Sequence, residues 1–438
     1  MYNIFIIISV GLRNHTWQPG KVLRGENMSE FKFIAQNGRK IPKEDKIFGI
    51  SRRAKEMIAR EGKDKVINAT IGALLDDEGN LIVLSSVDKT YRSLEPIEYA
   101  EYAPIKGIPA FRDAAIKAAL GKYIPQGYAE AVATPGGTGS LRNTISNFTE
   151  PGDKILTSDW HWSPYNTIAG EIGRSVETYE LFNQERKFNV ASLEAKVDEL
   201  LALQERLVII INTPAHNPTG YSLSNEDWQS VVDVLKEKPT TKKITLLIDA
   251  AYIDFAGDED KYREFLPILE TLPENILPII AYSMSKTYTL YGMRCGAMVC
   301  LAKTRELADE FVRACEFSSR GSWSNCARAP QAMVAKIFAD PELLAAVTAE
   351  RTKYRDMLIA RGRAFEEEAN KIGLEIVPFD AGFFASIPCD NPDELSAKLE
   401  KEGIFLVPLA KGLRVSVASI SEEKCRVIPK KILEAMAK

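Results

Sequence analysis

The sequence predicts an α/β protein with a large domain, built on a mostly parallel sheet covered by helices, and a smaller α+β domain. Three observations carry this expectation. From about residue 131, short apolar runs alternate with stretches of helical periodicity, the pattern of strands linked by covering helices. The runs RLVIIIN (206–212), ITLLID (244–249), ILPIIAY (276–282) and GAMVCLA (296–302) are continuously apolar, as strands buried on both faces of a parallel sheet are. From about residue 346 the pattern becomes a long charged helical stretch followed by short strands, which marks an α+β unit.

The elements follow in order. AVAT (131–134) reads as a strand leading into PGGTGSLRNTISNF, where Leu141, Ile145 and Phe148 fall at helical spacing. KILTS (154–158) is a strand, followed by a loop and a helix over YNTIAGEIG. RLVIIIN precedes the turn HNPTG and a helix from about Ser224, with Trp228, Val231, Val232 and Leu235 on one face. ITLLID closes on Asp249, and ILPIIAY runs into Ser283. Lys286 therefore lies just past a strand's C-terminal end, where open α/β sheets place their ligands. After a helix over AAVTAERTKYRDMLIARGRAFEEEANKIG come strands at LEIVP, GFFASIP, IFLVP and LRVSVAS. The segment 30–75, with VINATIG as its clearest strand, joins this second unit. The expected boundaries are 76–345 for the large domain, and 29–75 with 346–438 for the small one. Residues 1–28 are set apart as a leader or extension: Arg-Gly-Glu-Asn (24–27) can be encoded by purine-rich codons of the kind that precede a bacterial start, so the native chain is expected to begin at Met28.

Composition narrows the function. A chain of 438 residues, 45% hydrophobic and 26% charged, has the make-up of a globular protein of more than one lobe. A formal net charge of −4 and the lack of a basic tract argue against a nucleic-acid partner. IFIIISVGL (4–12) is too short to span a bilayer, so no membrane association is expected. The six cysteines form no CxxC pair. They read as reduced thiols of a cytoplasmic protein, not as a disulfide framework or a metal site. With only three histidines, acid–base chemistry falls to another residue type.

The strand ends gather Gly137 and Thr138, Trp160 and Trp162, Asn217, Asp249 and Tyr252, then Ser283, Ser285, Lys286 and Arg294. Singly, each has a structural reading: glycine for a turn, Asn-Pro-Thr-Gly for another, aspartate as a cap, tryptophan as core. Jointly they suit pyridoxal phosphate. Its aldehyde needs a lysine that sheds its proton readily, as Lys286 between hydroxyls and near Arg294 would. Its phosphate needs free N–H groups and positive charge, which the helix start at Gly137 and Thr138, Ser283 and Arg294 supply. Its ring nitrogen stays protonated against a buried carboxylate, Asp249. Asn217 and Tyr252 can hydrogen-bond the ring oxygen, and an indole can stack on the ring face.

TPGGTGSLR, NPTG, DAAYIDF, SMSKTYTLYGMRCG and GLRVSVAS, in this order and spacing from about Asn68 to Ser419, closely resemble the aspartate and aromatic amino-acid aminotransferases, fold type I of the pyridoxal phosphate enzymes. The resemblance implies that Lys286 forms the Schiff base and moves the proton, that Asp249 pairs with the ring nitrogen, and that Tyr252 and Asn217 hold the ring oxygen. It implies a phosphate cup of Gly137, Thr138, Ser283 and Arg294, with Trp162 as the stacking residue. Arg414 in LRVSVAS matches the arginine that forks onto the substrate α-carboxylate, and Gly72 in NATIG the glycine beside it. Two further matches imply a homodimer with shared sites. Tyr102 in EYAPIKGIPAF would reach the neighbouring subunit's phosphate. Arg320 in SRGSWSN would bind the distal carboxylate of a dicarboxylic substrate, with Arg328 as a rival. The implied reaction is ping-pong transfer of an amino group between aspartate or an aromatic amino acid and 2-oxoglutarate. A β-lyase with the same cofactor and a non-catalytic aminotransferase-like module are the alternatives.

Overall fold

The computed structural model describes residues 45–437; the leader expected over 1–28, the proposed start at Met28 and the first residues assigned to the small domain lie outside them. The apolar runs become the strands β2 (Tyr128–Thr134), β3 (Lys154–Ser158), β5 (Arg206–Asn212), β6 (Lys243–Asp249), β7 (Ile276–Ser283) and β8 (Gly296–Ala302), following a two-residue β1 (Ile67–Asn68) and joined by β4 (Ser175–Tyr179). All but β1 form one seven-stranded sheet in the order β2-β8-β7-β6-β5-β3-β4.

Why the runs lack alternation is visible along β5. Leu207, Ile209 and Ile211 pack into a core on one face, with Trp228, Val231, Val232 and Leu235 of the helix Asn225–Lys236. Val208 and Ile210 pack on the other face, with Leu141, Ile145 and Phe311. Both faces are covered, so every position must be apolar. The helix Asn225–Lys236 starts where expected because Ser224 and Asp227 close a reciprocal capping box, Asp227 N–H donating to Ser224 Oγ at 3.1 Å and Ser224 N–H to Asp227 Oδ2 at 3.0 Å.

One strand departs from the parallel expectation. β8 pairs antiparallel with both β7 and β2. The link 284–295 holds only a four-residue helix, Met284–Thr287, and a single 3-10 turn, Tyr291–Met293. That is too little for a crossover helix, so the chain must return beside β7 in the opposite sense. The C-terminal ends of β2, β3, β5, β6 and β7 and the N-terminal end of β8 therefore share one sheet edge.

Past the long helix Pro341–Ile372 lie β9 (Phe384–Pro388), β10 (Ile404–Phe405), β11 (Val407–Leu409) and β12 (Gly412–Ser416). β12 pairs antiparallel with β11 and β9, and β1 lies parallel to β10. β9, β10 and β12, with Ile67 of β1 against them, share a separate core with Leu358 and Phe365 of the long helix and Ile428 and Ile432 of the helix Glu422–Ala437. LEIVP (374–378) is not a strand. Leu374, Ile376 and Val377 are apolar because they are buried, and Val377 N–H makes a single bond to Ser386 O at 2.8 Å. VINATIG contributes only β1, and LRVSVAS leaves its sheet after Ser416 for a 3-10 turn, Val417–Ser419. Among the described residues, no helix is long and apolar enough to cross a membrane, and all six cysteines are free.

Candidate active site

Lys286 lies in the turn that β7 feeds. Ser283, the last residue of that strand, caps the short helix Met284–Thr287. The Lys286 amine donates to Gly72 O at 3.0 Å and faces the rings of Tyr291, Tyr252 and Phe383, whose centroids are 4.6, 5.7 and 5.8 Å away. Burial, then the guanidinium groups of Arg294 and Arg414, push its pKa down to about 7 against the opposing pull of Asp249. Gly72 must be glycine: a Cβ there would lie 2.8 Å from the Phe384 ring.

Asp249 ends β6 and is buried. Its Oδ2 accepts from the Tyr165 hydroxyl at 2.6 Å, and the side-chain amide of Asn212 donates to its backbone carbonyl at 2.8 Å. Burial raises its pKa, while the Tyr165 hydrogen bond, the Ala251 N–H and Lys286 act in the other direction.

Asn217 connects two further residues. Its backbone N–H donates to Asn212 Oδ1 at 2.6 Å. Its side-chain NH2 donates to the Tyr252 hydroxyl at 3.3 Å, and its amide oxygen accepts from Arg414 Nη1 at 3.2 Å. Arg414, buried on β12, also donates from Nη2 to Thr70 O at 3.0 Å and lies 4.2 Å from the centroid of Phe384. Its Nε is buried without a partner, and burial lowers its pKa to about 10.

At the same edge the helix Gly136–Phe148 begins. Gly136 has φ 71°, and a Cβ there would meet Arg294 Nη2 at 2.6 Å. Gly137 packs beside Ser283, where its Cβ would stand 3.5 Å from Ser283 Cβ, and Thr138 is exposed in the first turn. Arg294 donates to Ser285 Oγ at 3.3 Å and to Tyr291 O at 3.0 Å. Of the two tryptophans, Trp160 is buried in the core. Trp162 is half-buried and stands edge-on to Tyr165, with centroids 5.6 Å apart and planes at 86°.

The fold thus brings Lys286, Asp249, Tyr252, Asn217, Gly72 and Arg414 into one linked group, with Ser283, Gly137 and Arg294 clustered beside it. Tyr102 and Arg320 are not joined to it within one chain. Tyr102 is 85% exposed, and Arg320, also exposed, donates to Ser324 Oγ at 2.6 Å. Arg328 is committed elsewhere: it pairs with Glu101 at 2.9 Å and donates to Tyr102 O at 3.3 Å. Sequence reasoning missed Gly136, Tyr165 and Tyr291. The last accepts a hydrogen bond from Leu74 N–H at 2.9 Å and so holds the Gly72 segment over Lys286. The paired glycines of TPGG were the one available signal for Gly136.

These residues fit pyridoxal phosphate. An amine titrating near neutrality suits its aldehyde. The side-chain-free helix start against Arg294 leaves room and N–H donors for its phosphate, and a buried carboxylate held by a tyrosine suits its ring nitrogen. The orphaned Arg414 Nε keeps donor capacity for a carboxylate.

The aminotransferase class I and II family model matches residues 64–432. The chain is 27% identical over 386 residues to the aromatic-amino-acid aminotransferase of Paracoccus denitrificans, covering 86% of this chain and 93% of that one. It is 24% identical over 404 residues to an aspartate aminotransferase of Pseudomonas aeruginosa, covering 90% and 97%. A solved aminotransferase from Anaerococcus prevotii matches with a TM-score of 0.90 at 37% identity, over 93% of this chain and 100% of that one. The aromatic-amino-acid aminotransferase of Burkholderia pseudomallei, solved covalently bound to pyridoxal phosphate, shares the fold with a TM-score of 0.77 at 22% identity, over 93% and 100%. The chain belongs to the class I and II aminotransferases and is a pyridoxal phosphate-dependent transaminase.

Proposed function

We propose that this enzyme moves an amino group between aspartate or an aromatic amino acid and 2-oxoglutarate, by a ping-pong mechanism, in the cytoplasm. The observation that carries the reading is the Lys286 amine, brought to about pKa 7 beside Arg294, Arg414 and Asp249. When bound, pyridoxal phosphate supplies an aldehyde that takes up the amino group and a ring that draws electron density from the substrate Cα.

The chain's own residues do the rest. Arg414, its fork fixed by Asn217 and Thr70, binds the substrate α-carboxylate in two-point fashion beside Gly72. Lys286 Nζ removes the Cα proton and returns it on the cofactor side, acting as general base and then acid near neutral pH. Asp249 holds the proton on the ring nitrogen, Tyr252 and Asn217 hydrogen-bond the ring oxygen, and Trp162 covers the ring face. Gly137, Thr138, Ser283 and Arg294 grip the phosphate. Both half-reactions use this one set of groups, so the first oxo acid leaves before the second enters.

The working unit is a homodimer. The exposure of Tyr102 supports its reaching a neighbouring subunit's phosphate, and that of Arg320 its serving as the distal carboxylate clamp there. Arg328, neutralised by Glu101, is the weaker candidate. The division into a large domain (76–345) and a small one (29–75 with 346–438) belongs to the same reading, supported by the separate cores of the two sheets.

The deciding experiment is the visible absorption spectrum of the purified enzyme, with Lys286→Ala alongside. The expected outcome is a band that glutamate bleaches to the amine form and 2-oxoglutarate restores, and that Lys286→Ala lacks. A band indifferent to glutamate would overturn the dicarboxylate assignment.

A further inference from the structure

The loop that follows Asp249 and carries Tyr252 ends in a 3-10 turn, Ile253–Phe255, with a second buried carboxylate, Asp254. None of the roles above uses it. Its two oxygens are divided. Oδ1 accepts from Arg263 Nη2 at 2.7 Å. Arg263 in turn donates to Ala118 O at 2.8 Å and Ala119 O at 3.2 Å, the last turn of the helix Pro109–Leu120, and to Glu259 O at 2.9 Å. Oδ2 accepts from Thr287 Oγ1 at 2.6 Å and also from the Tyr282 hydroxyl.

Thr287 follows Lys286 and Tyr282 precedes Ser283, so one carboxylate grips the lysine's turn on both sides. A four-residue helix has almost no bonds of its own to hold it; this turn takes its position from outside. Burial would raise the Asp254 pKa, but the guanidinium groups of Arg263 and Arg351, with the Thr287 and Tyr282 hydroxyls, outweigh it and keep the carboxyl at about 2. It is therefore an anion throughout the working range. A buried ion pair is a poor device for stability alone, since packed apolar groups often do as well. What this one adds is a fixed distance between two segments of the site.

We propose that Asp254 is a positioning residue: by clamping Thr287 and Tyr282 it sets the place of the Lys286 amine relative to Asp249, five residues before it at the end of β6, and Arg263 anchors the clamp to the helix Pro109–Leu120. The inference rests on Lys286 being the reactive lysine.

The test compares Thr287→Ala with Thr287→Ser in the holoenzyme. Both lose the methyl group, and they differ only in the hydroxyl that Asp254 binds. Thr287→Ser is expected to behave as wild type. Thr287→Ala is expected to lower kcat by about 10- to 100-fold while the amino-acid KM stays within about twofold. It should also move the pH at which the visible band of the Lys286-bound cofactor titrates, by about half a pH unit or more. The groups facing Lys286 (Arg294, Arg414, Asp249, Tyr252 and Tyr291) are the same in both variants. Equal behaviour of the two variants in kcat and band titration would overturn the inference, as would a change in KM alone. If Thr287→Ala does not fold, Tyr282→Phe removes the other donor and supplies the same two readouts. Lys286→Ala separates the claims. A band that survives it overturns the reading of Lys286 itself, whereas its loss beside an indifferent Thr287→Ala overturns only the clamp.

Discussion

A lysine in water keeps its proton to about pH 10.4, whereas Lys286 releases it near 7 because burial and two guanidinium groups oppose its charge. The sign fixes a prediction. Since the folded pKa lies below the unfolded one, the free amine is already abundant at neutral pH. The rate at which cofactor-free protein captures pyridoxal phosphate, followed as growth of the visible band, should rise with pH and flatten just above 7. A rate still climbing about tenfold per unit through pH 9 would mark an ordinary lysine. By the same linkage, between about 7 and 10.4 the unfolded chain holds the extra proton, so the cofactor-free protein gains stability as pH rises through that window. Lys286 and Asp249 were legible as residue types at strand ends, and Arg414, inside β12, only through resemblance. Tyr165 and Asp254 were not: Tyr165 meets Asp249 across 84 positions, and Thr287 meets Asp254 across 33. Nothing in a linear pattern says which hydroxyl a buried carboxylate will find.

Strands buried on both faces write themselves into the sequence as unbroken apolar runs, which is why β5 and β8 match their expected spans. β4, at the sheet edge, is half-buried and reads Ser-Val-Glu-Thr-Tyr; edge strands carry polar residues that hide this signal. The direction of β8 was hidden for another reason. Apolarity reports burial, and only the brevity of the 284–295 link reports direction. That return delivers Arg294 to the start of the helix Gly136–Phe148, where Gly136 admits it. Gly136→Ala meets two obstacles, a φ of 71° and a 2.6 Å approach to the guanidinium. It is expected to cost about 1 kcal/mol or more of stability, and to weaken pyridoxal phosphate binding by roughly tenfold or more, as lost charge-assisted bonds do. Thermal melts and equilibrium dialysis measure the two effects, and unchanged cofactor affinity would mean that the Gly136 approach to Arg294 plays no part in the proposed phosphate cup.

At the scale of the molecule, the site draws on both cores. Lys286 and Asp249 come from the large sheet, Arg414 from the small one, and Gly72 from the segment after β1. Ion pairs also join these parts, Lys411 to Asp159 and Arg186 to Glu375. Motif order along the chain made this assembly legible through resemblance: most motifs sit at strand ends, whereas GLRVSVAS contains β12 itself. What a second copy would contribute is legible only through resemblance. Arg320→Ala should lower kcat/KM for aspartate by about 10- to 100-fold while leaving phenylalanine within about threefold, since a carboxylate clamp discriminates by charge. Equal losses on both substrates would reassign Arg320, and a larger dicarboxylate loss in Arg328→Ala would move the role there.

The amide of Asn217 has two ends and serves a different neighbour with each. Its oxygen can accept from the Arg414 fork, which has only hydrogens to give, and its nitrogen must then point at the Tyr252 hydroxyl. Turned over, it would set donor against donor at the arginine. Its orientation is therefore single-valued, and in the proposed reading a small dipole runs from the place where a substrate's carboxylate would be read to the place where the ring's oxygen would be held. On that reading the enzyme would share one polar hinge pin between recognising its substrate and tuning its chemistry. No side chain of similar size that lacks either end could replace it without freeing one of the two.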